Sequence, residues 1–217
     1  YEVKPVLEAL LKSEHFFDPL NQGCLIKSPV DFIIGLCREC EVPLPDSKDY
    51  TTWYSTLDGL LYQLELLQQS PGDPPSVSGW PAYYQIPSFH ELWINNDTYP
   101  RRTQFTDIMV YNGFTRLGFE LKMDTIAFAR SLSNPGDPKA LLDDSLATLY
   151  RIALSDAAKE QLKRDLLLTG QTNDYYWTNA WNTYIANPGD MMAYQTVHTR
   201  LNELYRYLLA LPEYQLS

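Results

Sequence analysis

Leu57, Leu60, Leu61, Leu64 and Leu67 recur at intervals of three and four residues. That is the period of a helix with one apolar face, and a pleated strand cannot use it. The spacing predicts a helix over 51–69, stopped by the run SPGDPP from Ser70 to Pro75. Val3, Val6, Leu7, Leu10 and Leu11 keep the same period near the start. Val197, Leu201, Leu204, Tyr205 and Leu208 keep it in a long final helix from about Asp190 to Leu209. Start signals fall between these stripes. Ser28 precedes Pro29, with Asp31 three residues after the cap; Asp137 precedes Pro138; Asp124 and Ser155 open two further helices, and Gly170 closes the second. FTRLGFELKM fits either a short strand or an extended link. No convincing period-two hairpin and no internal repeat are visible. The expected fold is all-α: one domain over 1–217 of roughly eight helices, with a long proline- and aromatic-rich loop at about 70–96.

Charge and cysteine usage narrow the function classes. The formal net charge is −10, a field that repels nucleic acid and anionic lipid. No Lys/Arg run exceeds Arg101-Arg102, and no stretch is long and apolar enough to span a bilayer. The three cysteines, Cys24, Cys37 and Cys40, cannot form a complete disulfide set. Cys37 and Cys40 have the CxxC spacing, but no second pair or nearby histidines complete a metal site. One helical face packing two small apolar thiols is the expectation. The chain opens at Tyr1 inside a helical pattern, as expected for the C-terminal portion of a longer protein.

The motif PPSVSGWPAYYQIPSFHELWIN, from Pro74 to Asn95, admits two readings. Gly79 permits a positive φ, Pro81 fixes its own φ, and Trp80 can plug a gap, which describes a rigid strap. Alternatively, exposed Trp80, Tyr83, Tyr84 and Trp93 form a flat aromatic platform for a sugar or a peptide. A second cluster, Trp177, Trp181 and Tyr184, shares one helical face and is expected in the core. Tyr175 and Tyr176 lie near that helix's start. His15, His90 and His198 are scattered, and HExxH, GxSxG, P-loop and GxGxxG motifs are absent. Ser28 beside Lys27 is expected to be a helix cap, not a nucleophile.

Three stretches carry a resemblance. SEHFFDPLNQGCLIKSPVDFIIGL, PPSVSGWP with the later WIN, and the ending LPEYQLS, with Arg102 and Phe105 following Trp93, resemble the domain-of-unknown-function family 1800. The likeness is specific at Lys27, Ser28 and Pro29 and at Gly79, Trp80 and Pro81. It departs where Ala82-Tyr83-Tyr84 replaces the family's usual glycines, and NDYYWTNAWNTYIANPGDMM resembles an elaboration of some members. The resemblance implies a bacterial, exported protein, extracytoplasmic in location, with helical structure and no settled catalytic residues. It also implies an exported phosphatase- or sulfatase-like neighbour as a possible protein partner. The expected function is a non-enzymatic binding or scaffolding module acting with upstream sequence or with a partner, without metal or cofactor. The alternative is carbohydrate binding or glycan processing on the aromatic platform. A hydrolase subunit working with that neighbour is a third reading, and would need a carboxylate cleft or a metal.

Overall fold

Val197, Leu201, Leu204, Tyr205, Leu208 and Leu209 all lie on one face of the last helix, α9 (Met191–Ala210), and none of them reaches solvent. The computed structural model describes residues 2–80 and 90–217. Around α9 pack α4 (Thr98–Tyr111), α5 (Thr125–Ser131), α8 (Tyr175–Ala186) and a π-helical turn (Lys163–Leu167) that continues α7 (Asp156–Leu162). α6 (Pro138–Leu149) packs on that π turn, while α2 (Pro29–Glu39) and α3 (Tyr50–Leu66) pair with each other. The remaining helix, α1 (Lys4–Leu11), stands apart and buries no residue. The fold is all-α, as the apolar spacing requires.

The helix starts follow from local chemistry. Ser28 accepts from the Asp31 amide, Ser155 from Ala158, and Asp124, Asp137 and Asp190 each cap their helix through a side-chain oxygen. Each cap satisfies a donor that would otherwise lack a partner and contributes about 1 kcal/mol. At α4 the N-cap position is Asp97, but its side chain makes no capping bond; the side-chain oxygen of Asn95 accepts instead from the amides of Asp97 and Thr98 at 2.9 Å each.

A small hairpin corrects the sequence expectation. β1 (Phe114–Arg116) pairs antiparallel with β2 (Phe119–Leu121), Phe114 opposite Leu121. Leu117 and Gly118 form the two-residue turn, both at positive φ (48° and 83°). This is the primed turn that matches strand twist. Leucine there hides it, since Asn or Gly is the usual occupant.

Trp177, Trp181 and Tyr184 are core, as their spacing predicts. The Trp177 indole donates to the Pro135 carbonyl at 2.8 Å, so its one polar atom has a partner. Cys37 and Cys40 are also buried free thiols, and burial raises the pKa of Cys37 to about 11. Trp177→Ala is expected to destabilise the chain by about 3–5 kcal/mol in urea unfolding, because it leaves a large cavity. Leu10→Ala, on the unpacked α1, is expected to change it by less than about 0.5 kcal/mol.

Candidate functional site

The residues Lys27, Trp93, Arg102 and Gln215, far apart in sequence, meet at one point. Arg102 is fully buried on α4. Its guanidinium donates to the Lys27 carbonyl at 2.8 Å, to the Trp93 carbonyl at 3.4 Å and to the Gln215 side-chain oxygen at 3.3 Å. It also lies over the Phe32 ring, 4.8 Å from the centroid. Burial pulls its pKa down to about 10, so it remains a cation at neutral pH. The planar fork of arginine reaches several carbonyls at once, which a lysine ammonium cannot reproduce. Beside this clamp, residues 25–27 pair with residues 215–217. The Lys27 amide donates to the Gln215 carbonyl at 2.7 Å, and the Ser217 amide to Leu25 at 2.8 Å.

The Lys27 side chain points into the same region. It is 4% exposed, its ammonium sits 3.9 Å from the Tyr214 ring centre, and Glu39 lies at 3.9 Å. Glu39 pairs more closely with Arg151, at 3.0 Å. Burial lowers the Lys27 pKa below its ordinary 10.5, with Glu39 opposing. Burial likewise raises Glu39 above 4.5, with Lys27 and Arg151 opposing. Both partners therefore meet a desolvation penalty that their attraction only partly offsets. The amine and the phenol are closed to solvent, and the arrangement fastens the chain.

The other sequence candidates separate around it. Ser28 caps α2 and Pro29 fills its first position, as expected. Gly79 has φ 89°, with open space where a Cβ would sit, so backbone conformation alone requires glycine there. Trp93 corrects the platform expectation: it is 3% exposed, so its ring offers no face to a ligand. Trp80 is half-buried and packs on Trp93 at 6.2 Å between ring centres. Pro81, Tyr83 and Tyr84 lie outside the described residues. Glu39 and Arg151 were not singled out from sequence. The ending LPEYQLS did mark Tyr214 and Gln215 as part of a motif, but no local spacing links them to Lys27 or Arg102. Among the described residues, no three His, Cys, Asp or Glu side chains gather as metal ligands.

The accessible feature is the segment that leads into this clamp. Val3, Val6, Leu7, Leu10, Leu11, Phe16, Phe17, Leu20 and Leu25 are each 45–82% exposed. Neither α1 nor the two short turns that follow it, Glu14–Phe17 and Pro19–Asn21, bury a residue. The turns are ordered locally: Ser13 accepts from the Phe16 amide and Asp18 from Leu20. Monomeric soluble proteins rarely expose apolar side chains at such density unless they meet another surface. The clamp thus roots an apolar arm, residues 3–25, on the helical core.

A family model described as a protein of unknown function (DUF1800) matches residues 1–216. Comparison with curated proteins and with solved structures gives no match.

Glu39→Gln leaves the Lys27 cation buried without its carboxylate and is expected to cost about 3–5 kcal/mol at neutral pH. Lys27→Met costs clearly less, since Glu39 keeps Arg151. In the folded chain Lys27 releases its proton more readily than in the unfolded chain. Stability contributed through this group therefore rises with pH between the folded value and 10.5. The urea midpoint of Glu39→Gln should approach that of the wild type as the pH rises from neutral toward 10.5.

Proposed function

The chain belongs to the DUF1800 family, and we propose that it is a non-enzymatic binding or scaffolding module that holds another polypeptide on its apolar arm. The observation that carries this reading is the run of nine exposed large apolar side chains between Val3 and Leu25. Covering a leucine fully contributes about 1.5–3 kcal/mol, so a partner that buried most of the arm would bind usefully even after the cost of association. The polar side of α1 carries only loose pairs, Lys4–Glu8 at 4.0 Å and Lys12–Glu8 at 3.9 Å. The partner's matching surface is therefore apolar in chemistry, with little demand for charge.

The place of action is outside the cytoplasm, in keeping with the family resemblance, and the partner is a protein of the same compartment. An exported phosphatase- or sulfatase-like protein is the first to test. Glycan binding is the alternative. It keeps Trp80 as a half-exposed ring but loses Trp93, so its platform would need aromatics elsewhere.

A photo-reactive residue at position 6 should crosslink the arm to one specific polypeptide. With that partner purified, Leu7→Asp/Leu10→Asp should weaken binding by at least about 100-fold while leaving thermal unfolding unchanged. Equal binding by the variant and the wild type would remove the arm from the account.

A further inference from the structure

A partly enclosed cavity of about 200 Å³ lies between α7 with its π turn and the end of α9 with the terminal turn Pro212–Gln215. The π turn shapes it. Leu162 and Leu167 are both buried, five residues apart. In a straight α-helix that spacing would turn them well away from each other; the wider turn puts both on the core side. The i to i+5 bond from the Leu168 amide to the Lys163 carbonyl, 3.0 Å, records the widening. Leu166 and Asp165 then border the cavity, with Leu154, Leu162 and Leu211 completing an apolar wall. Single π turns of this kind concentrate at functional sites.

The lining chemistry selects a ligand. Among the described residues no Lys, Arg or His lines the cavity, whereas Glu213 and Asp165 do, with Gln161 and Tyr207 as the uncharged polar neighbours. Asp165 is engaged by Arg164 at 3.0 Å. Glu213 forms no ion pair among the described residues, and its Oε2, closed to solvent, accepts no hydrogen bond from them. The Tyr150 hydroxyl, on which the Glu213 charge acts, donates instead to the Leu208 carbonyl at 2.6 Å. A carboxylate without an ion pair beside an apolar wall favours a donor, and a cationic donor most of all. An apolar cavity of roughly 150 Å³ is enough to hold benzene. We propose that this cavity is a binding site for a small organic ammonium compound, its ring or short alkyl chain against the leucines and its ammonium on Glu213. The site is separate from the apolar arm, and either can fail without the other.

Calorimetric titration of the whole chain with benzylamine, benzyl alcohol and benzoate tests the assignment. Benzylamine should bind about ten-fold or more tightly than benzyl alcohol, and benzoate should not bind. Glu213→Gln should bring benzylamine down to the level of benzyl alcohol. Ala158→Phe, which fills the cavity from the α7 wall, should abolish both and serves if the Glu213 variant does not fold. Equal binding of amine and alcohol, a preference unchanged in Glu213→Gln, binding that survives Ala158→Phe, or no binding of any of the three would each overturn the proposal.

Discussion

A single buried guanidinium joins parts of the chain that no local interaction could bring together. Arg102 is fully desolvated, and its compensation comes from three acceptors on three segments: Lys27, two residues before α2; Trp93, near the end of the aromatic loop; and Gln215, near the chain end. Desolvating such a cation costs several kcal/mol unless its donors are matched. The acceptors therefore have to arrive together. Once they do, residues 25–27 lie beside 215–217, Lys27 is carried over the Tyr214 ring, and Trp93 is fixed where Trp80 packs on it. Residues 25–27 and 215–217 are fastened to each other by this cluster, and α9 supplies the apolar axis behind it.

The functional contrast in the molecule follows from that fastening. Inside the clamp, polar groups with shifted proton affinities are held away from solvent, where they define geometry. Outside it, the residues leading up to Leu25 carry apolar side chains that the core leaves uncovered. A firmly rooted, locally ordered arm presents its surface without the full entropic cost of folding on contact. That is the physical basis for treating the arm, and not the aromatic loop or the buried ion pairs, as the place where a partner docks.

Legibility from sequence divides along the same line. Caps were legible because Ser28, Asp124, Asp137 and Ser155 act on amides two or three residues away. The burial of Trp177, Trp181 and Tyr184 was legible because helical spacing alone places them together. The hairpin was hidden by Leu117 at a φ that leucine rarely adopts, and the start of α4 by Asn95 supplying the capping oxygen from two residues before the N-cap Asp97. Amphipathy identified the apolar face of α1 correctly but carries no information on what covers it. The motif likeness marked Lys27, Arg102 and the terminal PEYQ separately. Their convergence spans 75 and 113 residues and depends on the tertiary fold, so no spacing rule reaches it. Glu39, lying between two buried cysteines, gave no sign of its partners.

The central claim is that Arg102 fastens the root of the arm and the chain end to the core as one unit. Native-state hydrogen exchange on the wild type and Arg102→Met, read at the amides of Lys27, Thr98 and Ser217, tests it most directly. The account predicts that all three lose protection together in the variant, while the amides of α9 from Val197 to Leu204 keep theirs. Continued protection at Lys27 and Ser217 in a folded Arg102→Met chain would contradict it, showing that residues 25–27 stay paired with 215–217 without the clamp.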